Sequence, residues 1–176
     1  MYTLQSSLIN QPIVSLQTGQ AVAWVGRPLL DLATLEVIAF TCRLARSRHQ
    51  VLITAADVRQ YTTDCIIIDS EDELTAPHDI VRINRGSSWQ CSLIGMQVVA
   101  DTGRQIGIVE DYGINLDTNR VHRLFIKQSF WRSWFAPNVI IDRTQIIDIS
   151  PAKITVRDST QEDTVISPKQ VPEIHS

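Results

Sequence analysis

The sequence has little of what catalysis or membrane insertion needs. Its three cysteines, Cys42, Cys65 and Cys91, are widely separated and form no Cys-x-x-Cys pair. Neither a disulfide framework nor a thiolate metal site is therefore expected. Cys42 and Cys65 fall in apolar runs, the setting of small buried thiols. The four histidines, His49, His78, His122 and His175, stand in no metal-ligand spacing, and His122 reads as a half-buried strand residue. No apolar run approaches the roughly 20 residues of a spanning helix. Met1 is followed by polar residues, with no charged n-region or long apolar stretch, so no signal peptide is expected and a cytoplasmic location is. Positive charge is scarce: the net charge is −3 and the pI about 5.8. That argues against non-specific nucleic-acid binding, which depends on many phosphate-neutralising cations.

Other familiar sites fail on spacing. Gly103-Arg104-Gln105-Ile106-Gly107 is not a dinucleotide fingerprint and opens no helix. The acidic run Ser70-Glu71-Asp72-Glu73 lacks the glycine and the bidentate Glu of a calcium loop, and reads as a solvated connector. Asp101, Asp111 and Asp117 lie in or beside turns, where Asp caps backbone amides. The expectation is no enzyme, no metal and no organic cofactor.

What the chain does have is 44% hydrophobic residues over 176 positions, enough for two small cores or one medium one. Short apolar runs alternate with turn residues throughout. Leu8-Ile9 and Ile13-Val14 read as opening strands, with Pro12 marking a bend or an edge. Ala21 to Val25 reads as a strand whose regularity Gly26-Arg27-Pro28 breaks, and Leu35 to Cys42 as another. Arg43 to His49 is a basic turn carrying Arg43, Arg46 and Arg48. Val51 to Thr54 and Cys65 to Asp69 complete this half. The region from Ser92 to Ile126 is a β-meander of three strand-like runs. Its turns fall at Asp101-Thr102-Gly103 and at Asn115 to Arg120.

The same order of blocks occurs twice. Ser7-Leu8-Ile9 matches Ser92-Leu93-Ile94, Thr18-Gly19 matches Thr102-Gly103, and Asp31 to Thr34 matches Asn115 to Thr118 at offsets of 84 or 85 residues. Leu52-Ile53 then falls on Ile140-Ile141 and Ile66 to Ile68 on Ile154 to Val156, at an offset of 88. One deletion and one four-residue insertion reconcile the halves. The pattern reads as an internal duplication of a unit of roughly 80 residues.

The second copy carries Leu93-Ile94-Gly95, Asp101-Thr102-Gly103, Ile106-Gly107-Ile108-Val109-Glu110-Asp111, Asp117 to Arg120, Ile140 to Ile146, and Ile154 to Val156. These blocks resemble the PRC-barrel family, which includes the H subunit of the photosynthetic reaction centre and the ribosome maturation factor RimM. The first copy has Asn10 at the place of Gly95, Ala23 at that of Gly107, and Val25-Gly26-Arg27-Pro28 at that of Val109 to Tyr112. The resemblance implies an all-β fold: two tandem small PRC-type β-barrels with short helical turns, one such turn over Thr54 to Val58. Residues 1–86, with the acidic connector, make the first barrel and residues 87–158 the second. A short helix after Pro77 and a flexible point at Gly86-Ser87-Ser88 join them. Residues 159–176 form a polar, flexible tail.

The copies differ most at the insertion, where the second carries Lys127, Phe130, Trp131, Arg132, Trp134 and Phe135. These rings either fill the seam between barrels or form an exposed hairpin. Such a hairpin anchors on a partner protein, where Trp and Arg are the usual hot spots, or dips into a membrane interface. The absence of the insertion from the first copy favours docking. The resemblance thus implies a non-enzymatic scaffold or assembly protein docking on a larger complex, of the membrane-bound photosynthetic kind. The alternative it implies is a ribosome-assembly or RNA-processing adaptor that, like RimM, binds a ribosomal protein. A protein partner is expected, with peripheral membrane contact as a further setting; nucleic acid is not expected.

Overall fold

Apolar residues recur at every second position through most of the chain, and the backbone answers with strand. The computed structural model describes residues 1–47, 49–76, 89–90, 92–128 and 139–158. In order these form β1 (Tyr2–Leu4), α1 (Gln5–Leu8), β2 (Pro12–Ser15), β3 (Ala21–Asp31), β4 (Glu36–Leu44), β5 (Gln50–Thr54), β6 (Gln60–Tyr61) and β7 (Ile66–Ile68). There follow β8 (Trp89–Gln90), β9 (Gln97–Ala100), β10 (Gln105–Asn115), β11 (Arg120–Lys127), β12 (Val139–Asp142), β13 (Ile146–Ile149) and β14 (Lys153–Val156). Short 3-10 turns cover Glu71–Glu73 and Arg143–Gln145. The protein is all-β, one 14-stranded sheet curled as a half-barrel.

Within that sheet, β5-β4-β3-β2-β7-β6 and β12-β11-β10-β9-β14-β13 are two stretches of identical strand order. Every neighbouring pair in them is antiparallel except β2–β7 and β9–β14. Those parallel pairs set Ile13 beside Ile66 and Val98 beside Ile154.

The long strands β3 and β10 each contain a register shift, between Val25 and Pro28 and between Val109 and Asp111. A bulge inserts one residue and so exchanges the two faces of a strand. Before the shift in β10 the buried positions are Gly107 and Val109; after it they include Tyr112 and Ile114. A single strand thereby serves two parts of the core. Gly107 is needed where it stands, because a Cβ there would collide with the Lys127 carbonyl oxygen and meet Ile126 Cγ2 at 2.9 Å.

Backbone at positive φ occurs, among the described residues, in three corresponding pairs: Asn10 (64°) and Gly95 (83°), Gly19 (65°) and Gly103 (87°), Leu35 (57°) and Asn119 (53°). The hydrogen bonds correspond as well. Asn10 N–H donates to the Val25 carbonyl and Gly95 N–H to that of Val109, both at 2.8 Å. Asn tolerates the left-handed region better than other L-residues, so the turn keeps its shape where Asn10 replaces glycine.

The two stretches meet at their hairpin turns. Val37 N–H donates to the Asn119 carbonyl at 2.6 Å and Val121 N–H to the Leu35 carbonyl at 2.9 Å. Tyr61 Oη donates to Asn119 Oδ1 at 3.0 Å, and Arg143 to the Thr34 carbonyl at 2.6 Å. Glu36 and Arg120 face each other in register and form an ion pair at 3.2 Å. Short strands also cross over: β1 pairs with β10, and β8 with β3. One continuous core, from Leu8 through Phe40, Tyr112 and Leu124 to Val156, lies beneath both stretches.

Several local expectations need correction. Leu8 ends a four-residue helix rather than opening a strand. Thr54 to Val58 is a non-helical turn, in which Thr54 Oγ1 accepts from Asp57 N–H. β3 continues through Gly26-Arg27-Pro28 to Asp31, since the bulge absorbs the irregularity without ending the pairing. Asp111 lies inside β10, where its carboxylate accepts from Ser6 and from Tyr112 N–H. The segment after Pro77, Gly86 to Ser88, Cys91 and residues 159–176 lie outside the described residues.

Candidate functional site

Of the six residues expected to make the docking loop, Lys127 is exposed at the end of β11. Phe130, Trp131, Arg132, Trp134 and Phe135 lie outside the described residues. The sheet surface at the root of that loop is well defined. On the outer face of β10, β11 and β12, Ile108 stands opposite Lys127 and Phe125 opposite Ile140. Ile108 is 38% and Ile140 55% exposed, and Phe125 is half-buried. Both strands meeting the loop thus carry outward apolar side chains.

At the position of Ile140 the first stretch is closed, although Trp24, the counterpart of Ile108, is exposed. Leu52, which aligns with Ile140, is 3% exposed. Thr75 lies alongside it, its N–H donating to the Leu52 carbonyl and its carbonyl accepting from Leu52 N–H. Leu29, Ala39 and Leu52 pack as a small separate cluster there. Gly113, Arg123 and Ile140 occupy the matching positions of the second stretch, so the apolar cluster is not repeated. Sequence reading missed Ile108, Phe125 and Ile140. Their signal was available as apolar residues on the polar phase of β10 to β12.

Among the described residues the titratable groups do not gather into a reactive site. Burial pushes the Cys42 thiol up to about 12 and leaves it protonated at neutral pH. Burial also raises the phenols of Tyr61 and Tyr112. His122 is lowered, chiefly by burial and then by the neighbouring Arg123 charge, with Asp142 pulling the other way. Its ring packs on Tyr2 at 4.4 Å between centroids. The Asp142 carboxylate is lowered mainly by accepting from Thr144 N–H, the cap of the Arg143–Gln145 turn. Among the described residues no three His, Cys, Asp or Glu side chains cluster as metal ligands would. No helix among them is long and apolar enough to cross a membrane.

Comparison with curated proteins finds no match to this chain. The family comparison does find one, and it runs from Gln90 through β14 and includes the exposed face described above. Residues 90–162 match the family model of the PRC-barrel domain.

Proposed function

We propose that the chain is a non-catalytic docking or scaffold protein of the PRC-barrel type, with two such units related by duplication. Residues 1–86 form the first unit, residues 87–158 the second, and residues 159–176 a tail. It engages a larger protein complex through the outer face of the second unit and the adjoining loop of Lys127, Phe130, Trp131, Arg132, Trp134 and Phe135. The observation that carries this reading is the contrast between Ile140, open to solvent, and its counterpart Leu52, buried on a strand that Thr75 pairs along its edge. An apolar face left open beside a Trp-rich loop is the composition of an interface centre. The complex is of the membrane-bound kind that the resemblance to the reaction-centre H subunit suggests.

The test is affinity recovery with the tagged full chain and two double variants, Ile108→Glu/Ile140→Glu and Trp131→Ala/Trp134→Ala, each melted in parallel. Both should keep the parent melting temperature and lose recovery of the membrane complex. A Trp pair that instead costs about 3–5 kcal/mol per ring, with recovery retained on the folded fraction, would place the rings in the seam and overturn the loop's role. Recovery of ribosomal proteins in place of a membrane complex would favour the RimM-like adaptor.

A further inference from the structure

The basic turn of the first unit has no role in the reading above. Residues 1–56 contain four arginines, Arg27, Arg43, Arg46 and Arg48, against two acids, Asp31 and Glu36. The rest of the chain is acidic enough to bring the net charge to −3. Arg27, Arg43 and Arg46 are exposed and have no carboxylate partner among the described residues. Elsewhere on the surface, Arg59, Arg104, Arg120 and Arg123 are each paired with an acid.

Two of the unpaired arginines, Arg43 and Arg46, border a groove. In register across the outer face run Pro12, Trp24, Arg43 and Gln50, on β2, β3, β4 and β5. Trp24 is 36% exposed. Two depressions share Trp24 and Arg43 as their common wall. One, of about 210 Å³, reaches Asn10, Thr41 and Gln50. The other, of about 650 Å³, reaches Arg46 and Ser47 at the end of β4. Together they make an elongated trough with an indole in its middle and guanidinium groups along it.

We infer that this trough binds an extended acidic segment of a protein partner, distinct from whatever docks on the second unit. Arg presents a planar fork that receives carboxylates two hydrogen bonds at a time, and the exposed indole supplies an apolar seat between the charges. The register from Pro12 through Trp24 and Arg43 to Gln50 runs across four strands, which suits extended chain. Charge complementarity selects an acidic occupant, while the negative net charge of the whole protein opposes a long polyanion such as nucleic acid. Trp24 lies in a trough wall inside the sheet, not at a loop tip, so it cannot reach a bilayer interface as an anchoring Trp does.

The probe is a short fluorescein-labelled peptide of Glu and Asp with one central Phe, titrated with the full chain and followed by anisotropy. Binding should saturate, weaken with salt, and fall about tenfold or more in Arg43→Glu/Arg46→Glu. Trp24→Ala should weaken the Phe peptide but leave a Phe→Ala peptide unchanged. Ile108→Glu/Ile140→Glu should bind the probe as the parent does, which separates this face from that of the second unit. No saturable binding, or equal binding by the charge-reversed variant with its melting temperature retained, would overturn the inference. So would tighter binding of phosphatidylserine vesicles or of a single-stranded oligonucleotide than of the peptide.

Discussion

Among the described residues, His122 is the one whose ionisation the fold disturbs in the range of ordinary buffers. Its ring is desolvated against Tyr2 and lies beside Arg123, so the folded protein holds a proton there less readily than the unfolded chain. The sign follows from linkage. A histidine lowered in the folded state contributes its full stability above the unfolded value of about 6.5, and loses it as pH falls through that value toward the folded one. Urea midpoints should therefore drop between pH 7.5 and pH 5.5, and the drop should shrink in His122→Gln. An unchanged pH dependence in the variant would remove His122 as its source. Asp142 works at the acid end, where its lowered carboxylate loses the Thr144 cap only as pH falls below the usual Asp range.

Among the elements, the hairpin turns β3–β4 and β10–β11 hold the two stretches together. Each turn donates one main-chain hydrogen bond to the other, through Val37 and Val121. These reciprocal bonds lie at the edge of the core, whereas the Glu36–Arg120 pair is exposed and worth under about 1 kcal/mol. Tyr61 contributes more, because its half-buried hydroxyl reaches from β6 to Asn119 of the other stretch. Tyr61→Phe should cost about 0.5–1.5 kcal/mol by denaturant unfolding, and Glu36→Ala should cost less. A larger loss from Glu36→Ala would mean that the ion pair, not the polar contact at the core edge, governs the join.

At the scale of the molecule, the crossing strands and the common core make the two stretches interdependent. β1 belongs by sequence to the first and by pairing to the second, and β8 is exchanged the other way. Buried side chains from Leu8 to Val156 form one cluster, so neither stretch can lose its packing without exposing apolar surface of the other. Unfolding should be a single transition, with equal calorimetric and van't Hoff enthalpies. Two resolved transitions would show that the halves are separate folding units. The same interdependence leaves the outer faces free to differ, one sealed at Leu52 and carrying an arginine-lined trough, the other open at Ile140.

Strand type was legible from the sequence because a sheet with one buried face imposes alternation on its residues, as in Leu124 and Ile126 or Ile154 and Val156. The turns at Gly19 and Gly103 were legible because positive φ favours glycine. The left-handed positions at Asn10 and Leu35 were not, since a left-handed L-residue has no reliable signature in one sequence. Leu8 was misread for a related reason: an apolar pair too short to show a period fits a helical turn as well as a strand. Strand exchange by β1 and β8 had no local signal, because three-residue and two-residue strands are chosen by the edge that accepts them. The exposure of Ile140 and the burial of Leu52 were likewise decided only in three dimensions. The two residues align and are both aliphatic; what separates them is Thr75, 23 positions beyond Leu52, pairing along one sheet edge. Sequence determined which residues could face a core, and tertiary pairing decided which outward faces stayed open, because covering a face depends on chain that arrives from elsewhere.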